Sequence, residues 1–211
     1  MMSNKSNYHN VYFKPNPERS IVWKEICRYL KMYIGKNDSV LEIGAGYCDF
    51  INNIDARKKM AIDVWPGIKN YANNNVEVKI LDLANGLPIK YKFNIVLASN
   101  LLEHLEMDKA EKLLKDVFTC LTRGGKLIII QPNFALNQKN YFDDYTHKTI
   151  FTDISLSSLL VKVGFKITYI CSGFLPLTLK SKFPKWGFLI KLYLMSPFKP
   201  FAGQMLIVGS K

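Results

Sequence analysis

Residues 40–50 read VLEIGAGYCDF, and this stretch determines the fold prediction. Its first half is apolar apart from Glu42, as expected for a buried strand, and Gly44 and Gly46 follow at once. Glycines at the turn from a strand to a helix allow the backbone to approach a ligand, because no side chain stands in the way. The stretch therefore predicts a strand over Ser39–Ile43, a ligand-binding turn and then a short helix.

Six further strands are predicted because short apolar runs alternate with helical or turn segments. Their predicted ranges are 59–63, 77–81, 93–98, 126–131, 166–171 and 204–209. Helices are predicted from Pro17 to about Gly35, over residues 113–121, and over Asp153–Val163. Strands that are apolar on both faces suit a parallel sheet covered by helices. The pattern thus predicts one α/β domain over residues 1–211, built on an open doubly wound sheet.

Two classes of cofactor fit a glycine turn at this edge of a sheet, the dinucleotides and S-adenosylmethionine. The dinucleotide fingerprint G-x-G-x-x-G would need glycine at position 49, where the chain has Asp49. That residue would place a carboxylate close to a pyrophosphate, whereas S-adenosylmethionine has no phosphate. Glu42 would then face the positively charged ammonium end of the cofactor, directly or through water.

Acidic residues also end the next two predicted strands. Asp63 comes about 20 residues after the glycines, where an acid hydrogen-bonds the ribose hydroxyls of an adenosine ligand. Asp82 would accept a hydrogen bond from the adenine amino group, while Leu83 packs on the ring. Each acid taken singly fits a helix N-cap better than a ligand, but the ordered set of three strand ends favours a cofactor site.

Together with residues 99–105 and 121–130, these segments resemble class I methyltransferases of the ubiquinone-biosynthesis type, over roughly residues 39–171. The resemblance implies a seven-stranded Rossmann-like sheet with the last strand antiparallel, and S-adenosylmethionine as cofactor. It also implies that the following residues line the cofactor: Glu42, Gly44, Gly46, Asp63, Asp82, Leu83 and Ser99. Cys48 departs from the pattern, since many relatives have a third glycine there, and this affects the expected shape of the loop more than the choice of cofactor.

The loop after the fourth strand, residues 99–105, reads SNLLEHL and contains a Glu103-His104 pair similar to one in that family. Enzymes that methylate exocyclic amino groups of bases have an Asn/Asp-Pro-Pro-aromatic run at this position. Here leucines follow Asn100, so methylation of a base nitrogen is not expected. Glu103 and His104 are interpreted either as an acid/base pair or, for His104, as a structural hydrogen bond between neighbouring loops.

Residues 132–152, after the fifth strand, are expected to contact the methyl acceptor, because loops at this edge of a sheet carry function. Within them Asp143-Asp144-Tyr145-Thr146-His147 resembles an acidic-then-His pattern in methyltransferases of bacterial surface-polysaccharide gene clusters. His147 is predicted to be the catalytic base and Asp144 to orient it, with His104 as the second candidate. Alternatively, the two acids cap a turn that His147 fills. A three-ligand metal site built from these residues is a further alternative, but no metal is predicted, because the segment lacks a ligand-spacing signature.

The formal net charge is +12, and no Asp or Glu follows Asp153, whereas eight lysines do. This asymmetry predicts either an anionic partner or simply a soluble basic face. Residues 172–203 combine aromatic residues with lysine and proline and are predicted to be an insertion before the last strand. This combination of side chains suits contact with an anionic membrane. The alternative is that the insertion forms a lid or a dimer contact.

Residues 1–16 have no apolar run and are predicted to be a flexible N-terminus without a secretory signal. The four cysteines stand far apart, which argues against a zinc cluster. A cytoplasmic location is expected, with membrane association, if any, at the inner face.

The predicted function is transfer of a methyl group from S-adenosylmethionine to a hydroxyl of a sugar or glycan precursor. Two alternatives remain at this stage. One is an RNA methyltransferase that uses the basic surface, although no RNA-binding motif is visible and a nucleic-acid partner is not expected. The other is a non-catalytic protein that binds the cofactor.

Overall fold

The computed structural model of the chain describes residues 16–176 and 186–211. The expectation for residues 1–16 therefore lies, except for Asn16, outside the described residues. The seven strands are β1 (Ser39–Ile43), β2 (Lys58–Asp63), β3 (Val76–Ile80), β4 (Phe93–Ser99), β5 (Leu121–Pro132), β6 (Lys166–Pro176) and β7 (Ala202–Ser210). The α-helices are α1 (Pro17–Leu30), α2 (Asp49–Asn53), α3 (Met107–Cys120), α4 (Asp153–Val163) and α5 (Gly187–Met195).

The strands form one sheet in the order β3-β2-β1-β4-β5-β7-β6. Strands β1 to β5 run parallel to one another, and β7 runs antiparallel to both of its neighbours. The predicted seven-stranded α/β sheet with an antiparallel last strand is therefore confirmed. Because the first five strands are parallel, the turns that follow them lie at one edge of the sheet, the carboxyl edge, where such folds bind ligands.

The fifth and sixth strands are longer than predicted. β5 starts at Leu121 because Phe93 of β4 pairs with Leu121 before a bulge, whereas the sequence predicted a strand only from residue 126. β6 continues past Gly173 to Pro176, which pairs with Ala202 across two irregularities of register. Because β6 is an edge strand, it tolerates a bulge and a proline that would interrupt a central one. The insertion thus begins after Pro176 and not at Ser172.

The sheet carries an apolar layer on each face, as the doubly wound pattern requires. One layer includes Leu41, Ile43 and the buried face of α3, and the other includes Val40, Ile51 and α1. α1 begins where Pro17 indicated, with the Asn16 side chain accepting from the backbone of Glu18. Among the residues that the structure describes, no helix has the length and apolar character needed to cross a bilayer.

Candidate functional site

The turn after β1 has the conformation that its glycines predict. Gly44 and Gly46 adopt φ angles of +71° and +49°, which residues other than glycine rarely adopt. Cys48 has a φ of +59° although it is not glycine, and its side chain is buried. Its thiol therefore does not prevent the left-handed turn that a third glycine would adopt more easily.

Glu42 is buried directly beneath this turn. Its Oε2 accepts a hydrogen bond of 3.0 Å from the backbone N–H of Ile51, in the helix that follows the turn. Burial raises the pKa of Glu42 well above its ordinary value, and the Ile51 hydrogen bond opposes this rise. A contact between Glu42 and the ammonium group of a cofactor stays a prediction.

Asp63, at the end of β2, lies beside the glycine turn because β2 pairs with β1. Its two carboxylate oxygens each accept a backbone hydrogen bond of 2.8 Å, Oδ2 from Gly46 and Oδ1 from Trp65. A carboxylate has about four acceptor positions, so these bonds leave capacity for the hydroxyls of a ribose. Asp63 thus holds the turn in shape at the place where the sequence located the cofactor.

The other predicted cofactor residues follow the strands on either side. Asp82 caps a short 3₁₀ turn, Leu83–Asn85, through a 3.1 Å bond from Ala84 N–H to Oδ1, and Leu83 is buried in the core. Ser99 ends β4 at the same edge of the sheet. Asp82 therefore has the N-cap role that was expected for an acid at this position taken by itself. Contacts of Asp82, Leu83 and Ser99 with a cofactor stay predictions.

Two loops that are distant in the sequence meet at this edge and form a group that we call the histidine cluster. It consists of Glu103 and His104, which follow β4, and Asp144, Thr146 and His147, which follow β5. The imidazole rings of the two histidines are 5.0 Å apart between centroids. The sequence provided the candidates, but it gave no indication that both histidines lie in one group.

The hydrogen bonds of the cluster show which groups Asp144 and His147 contact. Its Oδ1 accepts from the backbone and the hydroxyl of Thr146, and that hydroxyl lies 2.9 Å from His104 Nδ1. His147 Nδ1 instead lies 2.6 Å from the carbonyl oxygen of Tyr141. Because residues 144–147 form a tight turn, the carboxylate folds back onto its own loop. These bonds link Asp144 to His104, and the Tyr141 carbonyl fixes the ring of His147. A role of Asp144 in orienting His147 stays a prediction.

Glu103 is the most unusual residue of the cluster. Its side chain is 0% exposed, and neither carboxylate oxygen has a hydrogen-bond partner among the described residues. Burial, with a smaller contribution from Asp144, raises the pKa of Glu103 to about 8. Burial and the neighbouring His147 lower the pKa of His104 to about 4. Near neutral pH, His104 is therefore uncharged.

Other residues that the sequence assigned to acceptor contact are structural in the fold. Asn133 is buried and donates to the Ser172 carbonyl, and the buried hydroxyl of Tyr141 donates to the Thr149 carbonyl. Tyr145, by contrast, is 71% exposed beside the histidines. Residues 132–152 thus divide into a supporting part and a part that faces solvent.

The insertion leaves and rejoins the sheet at this same edge. Pro132 at the end of β5 pairs with Gln204 of β7, and Pro176 at the end of β6 pairs with Ala202. Residues between Pro176 and Ala202 therefore begin and end beside the carboxyl edge. Their described part includes α5 and the exposed aromatic side chains of Phe188, Phe198 and Phe201. Residues 177–185, with three of the eight lysines, lie outside the described residues.

Comparison with known proteins agrees with this arrangement. A family model described as "Methyltransferase domain" matches residues 18–170, which include the glycine turn and both loops of the histidine cluster. The chain belongs to this family. The prediction of a methyltransferase is therefore confirmed. A search of curated protein sequences found no match.

Solved methyltransferase structures share the fold at low sequence identity. An S-adenosylmethionine-dependent methyltransferase from Archaeoglobus fulgidus is 19% identical, with 99% of this chain and 100% of that chain covered and a TM-score of 0.67. The N-methyltransferase NodS from Bradyrhizobium japonicum, solved with S-adenosyl-L-homocysteine, is 13% identical, with coverages of 99% and 93% and a TM-score of 0.63. An S-adenosylmethionine-dependent methyltransferase from Mesorhizobium loti is 12% identical, with coverages of 87% and 96% and a TM-score of 0.64.

Proposed function

We propose that this methyltransferase transfers the methyl group of S-adenosylmethionine to a hydroxyl oxygen of a sugar or glycan precursor. The observation that carries the proposal is the histidine cluster, which lies at the same edge of the sheet as the glycine turn. In the reaction, the acceptor oxygen forms a bond to the methyl carbon as the carbon–sulfur bond breaks, and the hydroxyl loses its proton. S-Adenosylhomocysteine is the second product.

An oxygen acceptor makes particular demands on the protein. The donor is already activated, so the protein has to align the acceptor and promote loss of the hydroxyl proton. The uncharged imidazole of His104, the neighbouring imidazole of His147 and a buried carboxyl group suit that task. The exposed ring of Tyr145 and the neighbouring polar side chains offer an apolar face and hydrogen-bonding groups to a sugar.

Donor binding provides the first test. The purified protein is expected to bind S-adenosylmethionine and S-adenosylhomocysteine in calorimetry and to show no comparable binding of NAD. The reason is that Asp49 places a carboxylate where a pyrophosphate would lie. NAD that displaces S-adenosylhomocysteine at similar concentrations would contradict this donor assignment.

Acceptor chemistry provides the second test. S-Adenosylmethionine with a ¹³C-labelled methyl group would be incubated with free sugars, nucleotide sugars and amino sugars, and the products would be identified by NMR. The label is expected on oxygen, and the amino sugars serve as the internal control because they offer nitrogen and oxygen together. A product labelled on nitrogen, or RNA methylation in a parallel reaction without sugar turnover, would overturn the proposal.

We further propose that α5 and the residues after it bring the enzyme to an anionic membrane, where lipid-linked glycans are assembled. Phe198 and Phe201 are 77% and 86% exposed, and Lys191 of α5 is also exposed. Aromatic rings favour the headgroup level of a bilayer, and each lysine near an anionic surface contributes about 1 kcal/mol to binding.

The protein is therefore expected to sediment with vesicles that contain anionic lipid at low salt, and to dissociate as the ionic strength rises. Combined Phe188→Ser and Phe198→Ser changes should weaken sedimentation. Ile154→Ser should not, because this residue is equally exposed, at 75%, but lies on α4. If the variant with both phenylalanine changes still sedimented with the vesicles, the membrane role of this segment would be refuted.

A further inference from the structure

We propose that Glu103, His104 and His147 bind a divalent first-row transition-metal ion such as Zn²⁺ or Mn²⁺. One ligand atom from each residue lies within 4.8 Å of the others. Ligand atoms at about 2.0–2.2 Å from one ion are about 3–4 Å apart, so small side-chain rotations would bring all three into coordination. The site goes beyond the methyl-donor chemistry of the family and does not follow from any sequence motif.

The environment of Glu103 is the first argument for a cation. A buried carboxyl group usually receives hydrogen bonds, because removing it from water without a partner costs free energy. Both oxygens of Glu103 are buried without a hydrogen-bond partner among the described residues. The carbonyl of Glu103 accepts from the backbone of Lys148 and Thr149, so the residue is held firmly in place. A bound ion would supply the missing interaction for the carboxylate.

The hydrogen bonds of the two histidine rings are the second, independent argument. The Tyr141 carbonyl is only an acceptor, so His147 donates its Nδ1 proton to it and carries a lone pair on Nε2. The Thr146 hydroxyl donates to Asp144, so it accepts the Nδ1 proton of His104. This tautomer likewise carries its lone pair on Nε2, the atom that lies 4.0 Å from Glu103 Oε1.

His104 Nε2 and Glu103 Oε1 therefore face each other, and a cation that displaced the proton of the Glu103 carboxyl group would contact both atoms. Histidine ligands of metal ions commonly donate the other ring N–H to a carbonyl or to a group fixed by a carboxylate. The Tyr141 carbonyl and the Thr146–Asp144 pair are groups of these two kinds. Both rings thus carry the Nδ1 proton, which is the tautomer that coordination through Nε2 requires.

The donor atoms also indicate the class of ion. Two imidazole nitrogens and one carboxylate oxygen suit zinc, manganese, iron or cobalt, whereas magnesium and calcium prefer oxygen ligands alone. Three protein ligands leave at least one coordination position open, as in catalytic and not structural metal sites.

The catalytic consequence rests on the proposed function. If a hydroxyl oxygen of the acceptor occupied the open coordination position of the ion, it would lose its proton to solvent more readily, because the ion stabilises the alkoxide. That oxygen would then form the bond to the methyl carbon as the carbon–sulfur bond breaks. In this reaction His147 is a metal ligand and not the base that the sequence suggested.

The test measures metal binding without donor or acceptor, so its outcome is independent of the proposed function. Untagged protein would be freed of metal with a chelator and titrated with Co²⁺, which reports its ligands through visible absorption, and with Zn²⁺ in calorimetry. Binding of one ion per chain is expected. Glu103→Gln and His147→Ala should each lower the affinity at least tenfold. Glu106→Gln is the matched control, because this carboxylate is exposed three residues away and should leave binding unchanged.

Three results would overturn the proposal. They are the absence of Co²⁺ and Zn²⁺ binding at millimolar concentration, binding that survives both Glu103→Gln and His147→Ala, and a thiolate-to-cobalt charge-transfer band, which would place the ion on a cysteine. Circular dichroism and thermal unfolding of each variant show whether it is folded. Since His147 is only partly buried, its alanine variant tests the site even if the buried Glu103→Gln variant does not fold.

Discussion

A His147→Ala variant is expected to lose methyl transfer by roughly 10²–10⁴-fold while it binds S-adenosylmethionine as tightly as the wild type. The loss follows whether His147 accepts the proton of the acceptor hydroxyl or holds an ion that lowers the pKa of that hydroxyl. Donor binding should be unaffected, because His147 follows β5 and hydrogen-bonds Tyr141, outside the glycine turn. Single-turnover rates with an identified acceptor, and calorimetry with the donor alone, measure the two properties separately.

Lys148→Ala is the matched control for this variant. Lys148 is adjacent in sequence, but its exposed side chain pairs with Glu106 at 3.3 Å and is not one of the proposed metal ligands. Its variant should retain turnover within about threefold of wild type. If His147→Ala also stayed within threefold, which is less than ~1 kcal/mol in the barrier, neither role for His147 would be correct.

An Asp63→Ala variant is expected to bind S-adenosylmethionine about one to two orders of magnitude more weakly than the wild type. The charge-assisted hydrogen bonds to the ribose contribute about 1.5–3 kcal/mol. The substitution also removes the acceptor for Gly46 N–H, so the turn that surrounds the donor loses a fixed point. Calorimetry with S-adenosylhomocysteine, which is not consumed, measures the change.

Two further variants separate binding from folding. Asp63→Asn keeps a carbonyl oxygen that can accept from one of the two backbone N–H groups, so it should be more stable than Asp63→Ala while it still binds the donor weakly. Asp108→Ala removes an exposed acid in the first turn of α3 and should change neither property. If Asp63→Ala left the affinity for the donor unchanged, the assignment of Asp63 to the ribose would be refuted.

These two variants also distinguish the two halves of the candidate site. Asp63→Ala should impair the donor half, and transfer should recover at saturating donor if the fold is intact. His147→Ala should impair only the acceptor half, and no concentration of donor should restore it. A variant of either residue that lost both properties together would indicate general unfolding, which thermal denaturation would reveal.

The fold could be predicted because its determinants are local in the sequence. Apolar runs such as the one in β1 are buried on both faces, and Gly44 and Gly46 break the strand where the backbone must turn. The strand ends could be predicted for the same reason, and parallel pairing then places Asp63 beside Gly46. The sequence did not predict the full lengths of β5 and β6, because glycine and proline indicate turns unless an edge strand accommodates them.

The sequence alone thus determined the class of fold and the edge of the sheet at which the predicted donor residues collect, because hydrophobic periodicity and glycine positions act over a few residues. The family was indicated by the resemblance of those segments to known methyltransferases. Only the tertiary structure decided that Glu103 and His104 meet His147, more than 40 residues further along the chain. It also decided that Asp144 reaches His104 through Thr146, and that Glu103 is buried without a partner among the described residues. Such contacts depend on the backbone path of two separate loops and on the packing beneath them, and no periodic pattern of residues encodes either.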